Sequence, residues 1–339
     1  MLANQGFGAC TSFTAGEAVL DTELGDATLL DNVWAQIDCN STDDTYYDKL
    51  ITAYPNLKNV FTYFDAYLYD RESLTTLSLP RMQILGDYAA WSCQILSNVN
   101  LEKCLFIGSH GLGQVMYNSE LMSGSIEYLK VPECRYFGHM AFGSGTNNYW
   151  CYTVGKVRAD NLLYVGAECF YMCRSLSQIY APNLKKVGHR GFWGCVSLVG
   201  SSYTENDVTI GTPNCVTLPE CTHIGERGFS GRGSTMAVTK FDLAKCEHIG
   251  NGAFNNCSNL TDIYLYSMNG NTLVQAASST SDTDASIGNW GLSTTTFVST
   301  DASHNANHSA GVAVHCVNDA QEHIIVGYQN GAWRVIGPE

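Results

Sequence analysis

The chain has few basic residues for its length. Its 339 residues include 18 Lys and Arg against 32 Asp and Glu, and the formal net charge is −14. A surplus of negative charge of this size repels phosphate backbones, so we expect no nucleic-acid partner. Apolar residues make up 45% of the chain, which is enough for a sizeable core.

Long apolar runs are also missing. No stretch of 18 consecutive apolar residues occurs, so we expect no membrane-spanning helix. The first residues, MLANQGFGACTSF, lack both the basic and the apolar segment of a signal peptide. We therefore expect neither a bilayer span nor a signal peptide in this sequence.

Familiar catalytic motifs are absent from the sequence. It contains no GxSxG, P-loop, HExxH or dinucleotide-binding fingerprint. Carboxylates are abundant, but none is paired in a context that favours acid–base chemistry. We predict that the protein is not an enzyme and binds no cofactor.

Proline is scarce, but its positions reveal an internal repeat. Five of the seven prolines share one phase of this repeat. Its glycines are Gly86, Gly108, Gly138, Gly166, Gly188, Gly225 and Gly250. A bulky apolar residue follows the glycine by four residues in six copies, and a cysteine follows it by seven residues in four copies. The glycines lie 22 to 37 residues apart, a spacing typical of a leucine-rich solenoid whose core unit carries insertions.

The composite unit reads LxxIxLPx(C/L)xxIGxxAFxxC. The alternating IxL predicts a short strand, which the proline ends. We expect the glycine to permit a tight turn, and the GxxAF segment, helical or irregular, to pack its aromatic ring underneath. Each copy would then form one coil of a parallel solenoid.

This unit resembles the BspA-type (treponema-type) leucine-rich repeats. The stretches HIGNGAFNNCSNLTDIYL and YVGAECFYMCRSLSQIYAP carry the resemblance, which covers roughly residues 55 to 268. It implies a leucine-rich-repeat solenoid with short parallel strands and irregular or short helical convex segments. It also implies non-enzymatic binding or adhesion at a microbial surface, with an extracellular or cell-surface location and a protein or glycan ligand that could come from a host. The alternative is a phage virion or tail-fibre component that uses the repeats as a spacer or receptor reader.

Four segments follow from the extent of the repeat. Residues 1–54 are predicted to form an acidic, partly helical N-terminal cap with Trp34 on its buried side. Residues 55–268 form the repeat array, residues 269–311 a polar linker, and residues 312–339 a C-terminal β cap. Caps are expected because the two open ends of a solenoid expose apolar surface and a free strand edge.

The cysteines and histidines of the array invite a metal or redox interpretation. Cys246 and His248 nevertheless occupy repeat positions that hold Leu, Met, Tyr, Phe or Lys in other copies. A metal ligand would not tolerate that variety, so we interpret Cys246 as a small buried hydrophobe and His248 as a packing residue. Cys173, Cys195 and Cys257 stack at one phase and are expected to be reduced thiols. A C-terminal group of His304, His308, His315, Cys316 and His323 is more open, because His304 and His308 could bind Zn²⁺ from one face of a helix. The surrounding DASHNANHSAG has the composition of a polar loop, so we favour no metal site there.

The repeat phase also predicts a ligand-binding surface. Residues between the apolar positions of each strand should point outward. The central copies would then present basic, aromatic and amide side chains together: Tyr128, Lys130, Lys156, Arg158, Gln178 and Tyr180. Asp242 and Tyr264 continue the outward row in later copies. Such a surface suits an acidic protein segment or an anionic glycan through charge pairing and stacking.

Overall fold

A computed structural model gives the fold, and it describes residues 12–14, 74–79, 84–93, 95–113, 126–143, 154–276, 287–295, 298–299 and 308–339. In these ranges the chain winds into a parallel-strand solenoid of about six turns with little helix. The predicted solenoid is confirmed. The predicted helix around Trp34 and the array residues 55–73 lie outside the described ranges.

The regular elements are short. The strands up to the middle of the array are β1 (Ser12–Thr14), β2 (Thr76–Ser78), β3 (Ile84–Leu85), β4 (Asn98–Asn100), β5 (Phe106–Ile107), β6 (Ile126–Lys130), β7 (Tyr136–Phe137), β8 (Val154–Arg158), β9 (Tyr164–Val165), β10 (Gln178–Tyr180) and β11 (Lys186–Val187). The later strands are β12 (Ser201–Glu205), β13 (Val208–Thr212), β14 (Val216–Thr217), β15 (His223–Ile224), β16 (Lys240–Asp242), β17 (His248–Ile249), β18 (Asp262–Asn269), β19 (Val298–Ser299), β20 (His308–Ala310), β21 (Ala313–Val317), β22 (His323–Gln329) and β23 (Ala332–Pro338). One α-helix, α1 (Gly270–Ala276), and one 3₁₀ turn, Ile287–Asn289, complete the described elements.

One strand from each coil contributes to a broad surface that we call the face sheet. Its parts are β1–β2–β4, β6–β8–β10 and β14–β16–β18–β21, each parallel throughout. The apolar positions of these strands point inward, as Leu129, Val157 and Ile179 show with no exposed surface. The residues between them are partly exposed, so the predicted inward and outward alternation is confirmed.

A second sheet runs along another side of the solenoid and consists of two-residue strands. It pairs β3, β5, β7, β9, β11, β15 and β17 in parallel, one from each glycine-containing copy. The amide of the repeat glycine extends this ladder: Gly138 donates to Ile107 O and Gly166 to Phe137 O, both at 2.8 Å. The glycine therefore lies where successive backbones approach most closely.

The repeat glycine serves close packing and not, as the sequence suggested, a turn. The described repeat glycines from Gly86 to Gly250 do not have positive φ. A Cβ on Gly138 would instead lie 2.6 Å from the carbonyl carbon of Gly108 in the preceding coil. Positive φ occurs two residues later in all seven copies, at values of 49 to 62°, and the residues are Tyr88, His110, Met140, Glu168, Arg190, Arg227 and Gly252. The expectation of a glycine turn was wrong because the left-handed residue follows the glycine by two positions.

Aromatic residues stack in a column beneath the turns. The rings of Phe142, Phe170, Phe192 and Phe229 lie 4.8 to 5.0 Å from their neighbours and within 8° of parallel. All four are fully buried. The GxxAF segments themselves are successions of turns and not helices.

The cysteines seven residues after the glycine connect one coil to the next. Cys173 Sγ lies 3.3 Å from Phe142 O, and Cys195 Sγ lies 3.1 Å from Phe170 O. Each thiol therefore donates a hydrogen bond to the backbone carbonyl of the phenylalanine in the preceding coil. These cysteines are buried and form no disulfide, and the same holds for Cys246, which has no exposed surface. Cys246 is thus a packing residue, as the sequence indicated.

The C-terminal segment first extends the face sheet by one parallel strand and then ends the sheet with two antiparallel strands. β21 pairs in parallel with β18, and β22 and β23 then add antiparallel strands at this end. Within the segment that the composition indicated as linker, residues 270–276 form α1, and Ile287 and Trp290 are fully buried. The polar composition of this segment did not predict the burial of Ile287 and Trp290, because they are isolated apolar residues in a stretch rich in Ser, Thr and Asp.

Gly188→Ala tests whether close approach of the backbones is the reason for the repeat glycine. The new Cβ would lie 2.8 Å from the amide nitrogen of Ala167 and 2.8 Å from the carbonyl carbon of Gly166. We expect the free energy of unfolding to fall by about 1–3 kcal/mol, the usual cost of overpacking.

Gly191→Ala in the same coil is the matched control. Its Cβ would meet a Val187 methyl group at 2.8 Å, and other coils carry Ala89, Ala141 or Ala253 at this position. We expect a change of less than about 1 kcal/mol. Chemical denaturation followed by circular dichroism compares the two variants. Equal losses of stability would contradict the packing explanation.

Candidate functional site

The face sheet brings six of the predicted site residues together on β6, β8 and β10. Tyr128, Lys156 and Gln178 form one row across the three strands, and Lys130, Arg158 and Tyr180 form the next row. Neighbouring strands of a sheet lie about 4.8 Å apart, so the side chains of each row are adjacent. We call this group of six the central cluster.

A β-hairpin covers part of the central cluster. Its strands β12 and β13 are antiparallel and are joined at Asn206 and Asp207, which both have positive φ. Two residues with positive φ are typical of the tight turns that fit the twist of a hairpin. The hairpin leaves the solenoid after Gly200 and returns at β14, so it separates β10 from the later part of the face sheet.

Glu205 of the hairpin pairs with both cations of the second row. Its carboxylate lies 2.6 Å from Lys130 Nζ and 2.8 Å from Arg158 Nη1. The hydrogen bond from Lys130, together with Arg158, holds the pKa of Glu205 below its usual value. Asp160 lies 2.8 Å from Arg158 Nε, so the two cations face two carboxylates. The positive charge that the sequence predicted for this row is therefore neutralised within the molecule.

Aromatic contacts complete this arrangement. The Arg158 guanidinium lies 4.1 Å from the centre of the Tyr203 ring, and Tyr203 packs edge-on against Tyr180 at 4.8 Å. The Arg158 side chain is only 15% exposed as a result. The hydrogen bond from Arg158 to Asp160 raises the pKa of Arg158 further above its usual value.

Gln178 fixes the base of the hairpin. Its Nε2 donates to Pro213 O at 2.9 Å, and its Oε1 accepts from the amide and the hydroxyl of Ser202, both at 3.1 Å. Lys156, in contrast, is exposed and makes no ion pair with another described residue. Tyr128 beside it is partly exposed, and burial raises its pKa. Of the six residues of the central cluster, only Lys156 is thus exposed, and the other five are partly buried.

Asp242 and Tyr264 do not join the central cluster. They lie in register on β16 and β18, on the part of the face sheet beyond the hairpin. Burial raises the pKa of Asp242, and it raises the pKa of Tyr264 to about 12, with Asp262 and Glu339 adding to the shift. Tyr264 stacks on His315 at 4.3 Å. These two residues belong to a separate surface near the C-terminal strands.

His315 holds the C-terminal strands to the face sheet. It is fully buried, with Nε2 at 3.1 Å from Asp262 Oδ1 and Nδ1 at 3.0 Å from Glu339 Oε1. Burial disfavours the charged form of Asp262, but the hydrogen bonds from His315 and Thr261 and the nearby Lys240 outweigh it and lower the pKa of Asp262. His315 thus connects a carboxylate on β18 with one just after the end of β23, and we call this arrangement the clasp.

Two histidines that the sequence analysis considered as metal ligands, His248 and His323, form stacking contacts instead. The rings of His223 and His248 are 4.3 Å apart, and burial, followed by His248, lowers the pKa of His223 to about 4. His323 is 55% exposed and stacks on Tyr266 at 4.3 Å. His304 lies outside the described residues. Within the described ranges, no three His, Cys, Asp or Glu side chains are arranged to hold a metal ion.

Sequence reasoning missed the hairpin and the clasp. The hairpin falls in the longest interval between repeat glycines, 37 residues from Gly188 to Gly225. The stretch SSYTENDVTIGT in this interval contains an Asn-Asp pair between alternating segments. Asn and Asp tolerate the positive φ that a two-residue hairpin turn requires, so this pair could have indicated the hairpin. No comparable signal marks His315, because its partners are 53 and 24 residues away in the chain.

Comparison with known proteins identifies the repeat. A family model described as a BspA type leucine rich repeat region matches six copies, over residues 62–199, 148–217 and 212–287. These ranges run from residue 62 to residue 287, which is more than half of the chain. No curated protein matches the sequence. No helix in the described ranges is long and apolar enough to cross a bilayer.

One solved structure is similar over part of its length. It is a leucine-rich repeat protein from Bacteroides ovatus ATCC 8483, with 16% sequence identity and a TM-score of 0.38. The match covers 60% of this chain and 52% of that protein. The chain therefore spans about half the length of that protein.

His315→Ala tests the clasp. Removing the imidazole takes one hydrogen-bond partner from the Asp262 carboxylate, which is 2% exposed and also pairs with Lys240. Losing a hydrogen bond to a buried charged group typically costs about 1.5–3 kcal/mol, and we expect a loss of stability in this range. His323→Ala is the control, because its ring is 55% exposed and its contact to Glu339 is 3.4 Å. Its expected cost is below about 1 kcal/mol. Thermal unfolding measures both, and equal losses would show that the clasp is unimportant.

Proposed function

The chain belongs to the BspA-type leucine-rich repeat family, and we propose that it is a non-enzymatic binding or adhesion protein that presents its face sheet to a ligand at a microbial surface. Leucine-rich repeat domains generally mediate protein binding and act as non-enzymatic scaffolds. Proteins of this family are typically surface or secreted proteins. The family supports the class of function, and the ligand site is our inference from the face sheet.

One observation carries the proposal for the site. Successive coils align Tyr128, Lys156 and Gln178 in one row and Lys130, Arg158 and Tyr180 in the next. Cations next to aromatic rings and amide groups recognise carboxylates by charge-assisted hydrogen bonds and flat surfaces by stacking. Such a set on a chain of net charge −14 favours an acidic ligand at this place.

Lys156 is the cation best placed to meet a ligand first. It is exposed, it lies between Tyr128 and Gln178 in its row, and it makes no ion pair with another described residue. A ligand carboxylate can therefore reach it without breaking an existing described contact. Lys130 and Arg158 become available only if Glu205 gives way.

Lys156→Ala is the test of the proposed function. An array of proteins, peptides and glycans is probed with the wild type and the variant. We expect the variant to lose about fivefold or more in affinity for the ligands that the wild type captures, as for a well-placed interface residue. The substitution removes an exposed side chain, so the fold should be unaffected.

Lys103→Ala is the matched control. Lys103 is also exposed, at 61%, but it lies outside the face sheet and pairs with Glu133. The Lys103→Ala variant should bind the ligands on the array with the same affinity as the wild type. If Lys156→Ala kept all of the wild-type binding, the face-sheet site would be wrong.

A further inference from the structure

The hairpin lies on the central cluster in the way that a bound peptide would. Tyr203 and Glu205 are two residues apart on β12, so both side chains point to the same side of the strand. Tyr203 is buried against Arg158 and Tyr180, and Glu205 reaches Lys130 and Arg158. Thr204, between them, is exposed. The face sheet thus already recognises one extended segment with the pattern Tyr-x-Glu.

Recognition extends to the backbone of this segment. Gln178 Oε1 accepts a hydrogen bond from the amide of Ser202, immediately before Tyr203. The same Oε1 also accepts from the hydroxyl of Ser202, so Gln178 binds both the backbone and the side chain of this residue. Three features are therefore recognised in sequence: a backbone amide, an aromatic ring and a carboxylate.

The two ends of the hairpin are held unequally. At the base, Ser201 Oγ accepts from the Thr217 amide at 2.9 Å, Thr212 donates to Cys215 O at 2.9 Å, and Gln178 holds Ser202. Towards the tip, the described contacts with the face sheet come from Tyr203 and Glu205. Every residue of β13 is exposed, and so are Asn206 and Asp207. The tip can therefore lift when these two contacts are replaced, while the base remains attached.

We propose that the hairpin is a resident occupant of the binding site, and that a partner displaces it with an extended acidic peptide segment of the pattern Tyr-x-Glu. This inference rests on the proposed function and specifies its ligand and its regulation. The occupied site explains how a basic and aromatic cluster persists on an acidic protein without attracting unrelated anions. The displaced tip would uncover Lys130 and Arg158 for the carboxylate of the partner.

The test uses a labelled peptide with the sequence of residues 201–207, SSYTEND, which reproduces the resident segment. Fluorescence anisotropy measures its binding to the wild type and to Glu205→Gln. The peptide can bind only those molecules whose hairpin is lifted from the central cluster. In the wild type the apparent affinity for the peptide is therefore lowered in proportion to this open fraction. Removing the hairpin's own carboxylate should raise the affinity by about tenfold, because two ion pairs no longer hold the tip down.

Glu133→Gln is the matched control. Glu133 is 43% exposed and pairs with Lys103, while Glu205 is 41% exposed and pairs with Lys130. Both variants remove one partly exposed carboxylate that pairs with lysine, but only Glu205 contacts the central cluster. Glu133→Gln should bind the peptide like the wild type. A peptide with Gln in place of Glu should bind neither protein measurably.

A second variant covers the outcome in which Glu205→Gln alone leaves the hairpin on the central cluster. Tyr203→Ala with Glu205→Gln removes both contacts of the tip. This double variant should also bind the peptide at least about tenfold more tightly than the wild type, and the further change Arg158→Ala should abolish the gain. If neither Glu205→Gln nor the double variant bound more tightly, the hairpin would not be a displaceable occupant.

Two other outcomes separate the possibilities. If hyaluronan oligosaccharides bound the opened variants and the peptide did not, the assignment to a peptide partner would be wrong. Lys156 is exposed and makes no described hydrogen bond or ion pair with the hairpin, so the array experiment with Lys156→Ala can succeed even if the hairpin proposal fails. Failure of the hairpin proposal and failure of the proposed function are thus distinguishable.

Discussion

The close approach of successive backbones at the repeat glycine sets the geometry of the solenoid. At this position a Cβ atom would lie within 2.8 Å of backbone atoms of the preceding coil, as Gly138 and Gly166 show. The short-strand ladder can form there because neither coil carries a side chain. Once this register is fixed, the phenylalanines stack at 4.8 to 5.0 Å, and the thiols of Cys173 and Cys195 reach the carbonyl groups of the coil before.

The same register produces the candidate site. Outward residues of β6, β8 and β10 line up only because the coils repeat without a shift. The insertion between Gly188 and Gly225 then adds a hairpin, which brings Glu205 and Tyr203 onto the aligned residues. A regular array thus supplies the surface, and one irregular insertion determines its charge and access. Regulation of a repeat protein by its own insertion needs no second domain.

Repeat periodicity predicts environments well and individual contacts poorly. It identified the inward and outward rows, the aromatic column and the packing role of Cys246, because copies of the unit report on the same place in the coil. It gave the wrong reason for the repeat glycine. A sequence pattern does not distinguish a glycine that is needed for a positive φ from one that is needed because there is no room for a side chain. It also missed the neutralisation of the cluster, since an insertion has no copy to be compared with. The contacts of Glu205 with Arg158 and Lys130 join residues 47 and 75 positions apart.

The central claim is that ligand binding takes place on the face sheet and lifts the hairpin. Hydrogen exchange of the wild-type protein, with and without saturating SSYTEND peptide, tests it most directly, because exchange reports local opening. The account predicts slower exchange at amides of β6, β8 and β10 together with faster exchange at residues 203–211. Protection confined to the short-strand side of the solenoid, or a hairpin whose exchange does not change, would contradict it.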